Sequence, residues 1–140
     1  MFYLITDNGF KEAQDIVSDA VGYCNDSIRS LGKDDVIEPA SENDTPELNI
    51  IFISDNAPMG QIMANADYHR DPGAALCGNL IYVSMSRFQA EWDADEQYRN
   101  LVIKGTSNLK PSTDDLLTAF VSVCLADLMM RRMGLAYHLY

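Results

Sequence analysis

The stretch Leu116–Met130 constrains the fold more than any other part of the chain. It is apolar except at Thr118, Ser122 and Asp127. As a helix it would show apolar side chains around nearly its whole circumference. Such a helix has to be covered on several sides, which puts it at the centre of a domain. Its start is well signalled: Lys110-Pro111-Ser112-Thr113-Asp114-Asp115 offers Ser112 or Thr113 as a cap and two carboxylates where the helix dipole is positive. Arg131 and Arg132 stand at the negative end, and Gly134 follows where a helix would stop. Asp127 and Arg131 are four residues apart, so they share a face and are expected to pair. The stretch falls short of the ~20 apolar residues of a membrane span.

A second helix is equally plain. Ala13, Ile16, Val17, Ala20, Val21, Cys24, Ile28 and Leu31 recur at steps of three and four, which makes one amphipathic face. Asn8 or Asp7 is expected to cap it, and Gly32 to close it in a left-handed conformation. Phe2–Thr6 reads as a strand ahead of the turn Asp7-Asn8-Gly9. Leu48–Ser54 is a nearly continuous apolar run, the pattern of a central strand buried on both faces. Asn79–Ser84 is another strand, and Leu101–Lys104 a further short one before Gly105. Between them, Met59–Ala66 suggests one or two helical turns, Asp71-Pro72-Gly73 a turn, and Ser86–Tyr98 a loop or short helix.

The resulting expectation is a single α+β domain over residues 1–140. A small mixed sheet carries the N-terminal amphipathic helix on one face and the buried C-terminal helix on the other. A doubly wound arrangement would need crossover helices in residues 55–79 and 86–98, where the pattern is poor. A chain of 140 residues can bury roughly two-thirds of its unfolded surface and needs no metal or disulfide to hold a core. The cysteines, Cys24, Cys77 and Cys124, are odd in number and too far apart for a C-x-x-C site. Each lies among apolar residues, so they read as buried free thiols. The opening Met1-Phe2-Tyr3-Leu4-Ile5-Thr6-Asp7 lacks the basic region and apolar core of a signal peptide. These features predict a cytoplasmic protein.

Charge limits the function. There are 21 Asp and Glu against 10 Lys and Arg, a formal net charge of -11. Nucleic acid and anionic membranes would be repelled. The excess concentrates between the predicted elements. Residues 33–47, interrupted by Pro39 and Pro46, form an acidic loop bearing Asp34, Asp35, Glu38, Glu42, Asp44 and Glu47 against one Lys. A second cluster holds Glu91, Asp93, Asp95 and Glu96, beside the aromatic residues Trp92 and Tyr98. Such loops either keep a domain soluble or dock on a basic surface of a partner, where they would compete with phosphates for Lys and Arg. Trp92 and Tyr98 are aromatic anchors of the kind enriched at interfaces.

No catalytic constellation assembles. G-x-x-x-x-G-K-[ST], G-x-G-x-x-G and G-x-S-x-G are missing. His69 and His138 are the only histidines. Asp67-Tyr68-His69-Arg70-Asp71 places three ligand-type residues in five positions, and reads as a solvated turn with Arg70 neutralising the acids, because metal sites usually draw ligands from several elements. Met59 and Met63 are candidates for an exposed contact, while the methionines of the last helix read as core. No metal and no cofactor is implied.

The element order resembles the upper domain of metzincin-type zinc metallopeptidases, in which a helix packs on a mixed sheet and an active-site helix follows the strands. Asn79–Ser84 resembles that family's edge strand. Leu125 to His138 resembles the segment around H-E-x-x-H-x-x-G-x-x-H, with Gly134-Leu135 where the helix turns towards the third ligand. With Gly134 aligned, the helical histidines fall on Asp127 and Arg131, the general base on Leu128, and the third histidine on Tyr137, one residue before His138. A guanidinium offers zinc no lone pair, and leucine cannot activate water. The resemblance therefore implies a scaffold without its metal site.

Three functions remain. The first is a non-enzymatic acidic protein that docks on a basic partner, in concrete form an inhibitor of a nucleic-acid-binding machine of the kind carried by phages and other mobile elements. The second is a hydrolase with an atypical site near His69, or a degenerate metallopeptidase relative. The third is an assembly subunit whose apolar last helix is partly an oligomer interface.

Overall fold

The computed structural model describes residues 1–53, 70–71, 73–84 and 113–134. They form two helices and a six-stranded mixed sheet, an α+β fold. In chain order the elements are β1 (Phe2–Thr6), α1 (Ala13–Ser30), β2 (Glu38–Pro39), β3 (Leu48–Ile53), β4 (Arg70–Asp71), β5 (Ala74–Cys77), β6 (Leu80–Ser84) and α2 (Thr113–Arg132). The sheet order is β2-β1-β3-β6-β5-β4. β2, β1, β3 and β6 run parallel; β5 and β4 continue the sheet antiparallel.

Register explains the core. Tyr3 pairs with Leu48 and Ile5 with Ile50, while Ile81 and Val83 stand beside Ile50 and Phe52. Paired residues point to the same face of a sheet, so these side chains form one apolar surface, extended by Ala74 and Leu76 of β5. All but the half-buried Ile5 are buried, in one cluster with the inward faces of both helices. The phenyl rings of Phe10 and Phe52 tilt against each other at a centroid distance of 5.2 Å, tying the entry of α1 to the central strand.

The helices therefore do not flank the sheet as the sequence suggested. α1 and α2 pack directly on each other and share one face. The apolar surface of α2 is wide enough to cover β5, β6 and the flank of α1 together, which a helix alone on the far face could not do. The periodicity of α1 is otherwise reproduced, and Leu31 alone departs, standing exposed just past the helix end. β3 is correspondingly amphipathic: Leu48, Ile50 and Phe52 are buried, whereas Asn49, Ile51 and Ile53 are half-buried.

α2 is not covered on all sides either. Asp115, Ala119, Val123 and Ala126 leave an exposed stripe along it. Its interior carries the expected pair: Asp127 is 1 % exposed and its Oδ1 lies 3.7 Å from Nε of Arg131.

Local chemistry sets the ends. α1 closes in a Schellman motif, with Lys33 N donating to Ile28 O and Gly32 N to Arg29 O, and Gly32 at φ +74°. Its start differs from expectation. Glu12 occupies the cap position without a side-chain bond, because Asp7 is engaged by the N–H of Gly9 and the Asn8 amide donates to Phe52 O. β5 and β6 form a hairpin through Gly78-Asn79, with Gly78 at φ +60° as a Gly-first two-residue turn requires. Leu80–Ser84 is paired on both sides, so it is an inner strand and not the edge strand of the resemblance.

Candidate functional site

The acidic segment 33–47, expected to be a loop, carries a short strand of the sheet. Beyond the Schellman turn the chain runs along β1 and contributes β2, with Glu38 N donating to Met1 O and Ala40 N to Tyr3 O. Pro39 lies between these two donors at the sheet edge, where its missing N–H leaves no ladder bond unmade. Residues 40–47 then round the first residues of β1 and bond its other side, Glu47 N to Phe2 O. The Met1 amine donates to Val36 O at 2.7 Å.

Asn25 holds this segment to the body. Its side-chain amide donates to Ile37 O at 2.9 Å, and its Oδ1 accepts from Ile37 N at 2.7 Å. Both residues are buried. A side-chain amide can satisfy one donor and one acceptor of a single peptide position in this way. The sequence carried one signal for it: a lone amide on the apolar stripe of α1.

The six acids of the segment divide by role. Asp44 Oδ2 accepts from the N–H and hydroxyl of Ser41, at 2.9 and 2.8 Å, and closes a tight turn. Glu47 Oε2 accepts from Phe2 N at 3.3 Å, and its Oε1 pairs with Nη2 of Arg132 at 3.2 Å, joining the segment to the end of α2. Asp34, Asp35, Glu38 and Glu42 are exposed, and their side chains have no hydrogen bond or ion pair among the described residues. Four unshielded carboxylates thus stand on a backbone fixed from three sides. Glu91, Trp92, Asp93, Asp95, Glu96 and Tyr98 lie outside the described residues, as do Met59, Met63, Asp67, His69, Tyr137 and His138.

The bonds from Ser41 hold the Asp44 carboxyl below the usual aspartate range, and the Phe2 N–H, aided by the charge of Arg132, does the same for Glu47. Folding therefore favours their ionised forms. The stability they add is fully present above the unfolded carboxyl range and lost as pH falls through the lowered folded values. A variant carrying Asp44→Asn and Glu47→Gln is expected to lose less stability on acidification than the parent. Denaturant titrations across the acid range check this.

No cluster of three His, Cys, Asp or Glu with metal-binding geometry occurs among the described residues. Asp127 and Arg131 stand one turn apart on α2, and Leu128 is buried beside them. Cys24 and Cys124 are buried and in no disulfide, and burial pushes Cys24 up to about 11, far from the thiolate a nucleophile needs. Cys77, expected to be buried, is only half-buried, at the end of β5 beside the exposed Gly78-Asn79 turn. No described helix is long and apolar enough to cross a membrane. No protein-family model matches this chain, and neither does any curated protein or solved structure.

Proposed function

We propose that this protein is a non-enzymatic acidic binding protein that docks through residues 33–47 on a basic surface of a partner protein. The observation that carries the reading is the separation of roles just described. Asp44 and Glu47 build the segment, while Asp34, Asp35, Glu38 and Glu42 are left exposed on a fixed backbone. Fixed charges lose little entropy on docking and steer a positively charged partner. Glu91, Trp92, Asp93, Asp95, Glu96 and Tyr98 are further contacts to the partner in this reading. Its concrete form is an inhibitor that occupies the phosphate-binding surface of a nucleic-acid-binding machine, carried by a phage or other mobile element. A cytoplasmic location belongs to it and is supported by three cysteines that form no disulfide.

Reversal of Asp34, Asp35, Glu38 and Glu42 to Lys is expected to leave the fold intact and to abolish salt-sensitive capture of basic proteins from the native host. Affinity purification washed at two salt concentrations reads this directly. Capture that survives both the reversal and high salt would sink the reading. The metzincin-like scaffold is a proposal of the same kind, resting on the order of helix, mixed sheet and long last helix, with Asp127 and Arg131 at the positions of two ligands. Stoichiometric zinc in the purified protein would overturn the non-enzymatic reading.

A further inference from the structure

A second surface lies on the outer side of the helix pair. α1 and α2 run in the same direction: Asp19 and Tyr23 stand beside Asp115 and Ala119, and Ile28 and Leu31 beside Met129 and Met133. Three concavities follow one another along the seam, each sharing lining residues with the next, so they form one groove. The groove exists because α2 contributes small side chains there, Ala119, Ser122 and Ala126. From Asp115 to Met133 it follows 18 residues of helix, about 27 Å at 1.5 Å per residue.

Its two ends differ in chemistry. The far end is lined by Leu31, Met130 and Met133 with hardly a polar atom. Four large apolar side chains are exposed among the described residues, and Tyr23 (65 %), Leu31 (60 %) and Val123 (36 %) all line this groove. Scattered exposed apolar residues need no explanation, but three of four in one groove mark a contact surface. The near end is the widest, about 430 Å³, and bears Asp19 and Asp115. Glu12, Asp15 and Asp114 gather around it. Asp114 is held above the usual aspartate range by desolvation and by the charges of Glu12, Asp115 and Asp15.

We infer that this groove binds a basic amphipathic helix from a partner protein, antiparallel to α1 and α2. Its apolar stripe lies along Tyr23, Val123, Ala126 and Leu31, and its Lys or Arg residues sit against Glu12, Asp15, Asp19 and Asp114. Charge complementarity fixes the occupant, since an acidic or neutral helix would leave the near end repelled or unmatched. Orientation follows from the helix dipole. Cations are favoured at a helix C-terminus, and an antiparallel helix brings that terminus to the acidic end. The surface is distinct from residues 33–47 and does not depend on the reading given for them.

The test uses the whole protein and a fluorescent synthetic helical peptide of about 18 residues, with a leucine stripe at helical spacing and lysines in its C-terminal turns. Anisotropy titrations are expected to give micromolar affinity that weakens with salt. Two variants, Asp15→Lys with Asp19→Lys, and separately Ala126→Trp, are each expected to weaken binding about tenfold or more. The exposed positions of these residues keep the fold intact, which circular dichroism verifies. A peptide with its lysines moved to the N-terminal turns is expected to bind less well. Reversal of Asp34, Asp35, Glu38 and Glu42 to Lys is expected to leave the groove's apolar contacts, and hence most of the peptide affinity, in place. The inference is overturned by no binding at about 100 μM, by binding that survives the groove variants, by an acidic peptide binding equally well, or by light scattering that shows a second copy of the chain buried on this face.

Discussion

Phe52→Ala is expected to destabilise the protein by about 3–5 kcal/mol. Phe52 is 1 % exposed and sits in β3, the strand paired to β1 on one side and β6 on the other. Its truncation removes the ring that meets Phe10 and leaves a cavity between the sheet and the helices. A rigid sheet cannot collapse into that space, so little of the loss is recovered by relaxation. Domains of this size are stable by only about 5–15 kcal/mol in total, so the variant is expected to unfold at a much lower urea concentration. A conservative Phe52→Leu, which keeps most of the volume, is expected to lose clearly less. Urea titrations of the three proteins, followed by tryptophan fluorescence and far-ultraviolet dichroism, check the series. Equal stability for Phe52→Ala and the parent would mean that this face of β3 is not the core.

The second large effect is expected at Asn25. Asn25→Ala strips the N–H and the C=O of Ile37 of their partners in a buried setting. Each lost bond leaves a desolvated group unpaired, at about 1–3 kcal/mol apiece, which sums to about 2–6 kcal/mol. The loss also has a place. Residues 33–47, β2 included, lose their hold on α1, while the other strands and both helices keep their own contacts. Hydrogen exchange is therefore expected to speed up at Ile37, Glu38 and Ala40 far more than in α2. If the segment is the docking surface, partner affinity falls with it, although no carboxylate has been altered. Asn25→Asp is not a rescue, because its carboxylate can accept from Ile37 N but faces the carbonyl of the same residue.

Both helices were legible in the sequence because amphipathic and all-apolar periodicities are direct records of burial. The positions of Ile16, Val17, Ala20, Val21, Cys24 and Ile28 follow from spacing alone. Which face of the sheet each helix takes was not legible. That depends on α1 and α2 meeting each other, a contact across some hundred residues that leaves no local pattern. The run Leu48–Ile53 shows the same limit: six residues with a single polar member suggest burial on two faces, yet only alternate positions are fully covered. β5 and its hairpin were missed although Gly78-Asn79 is a turn signature, because Ala74–Cys77 has too few β-branched or aromatic residues to read as a strand. β2 was hidden by Pro39, which breaks a strand in a sheet's interior but not at its edge. In the acidic segment, charge was visible and role was not. Nothing in composition separates Asp44 and Glu47, which bond the backbone, from Asp34, Asp35, Glu38 and Glu42, which face solvent.

The placement of α2 on the shared core face has a kinetic consequence. The strands bearing Leu48, Ile50, Phe52, Ile81 and Val83 all precede it in the chain. During synthesis at roughly 5–20 residues per second, the 46 residues from Val83 to Met129 take about 2–9 s to appear. Throughout that interval the sheet face that α2 covers in the finished fold has, among the described residues, only α1 to shelter it. The nascent chain therefore passes through a state in which α2 does not yet cover β5 and β6, the kind of species that aggregates or engages chaperones. Yield in a cell is expected to depend on how fast translation runs through residues 84–129, a property that no measurement on the folded protein would reveal.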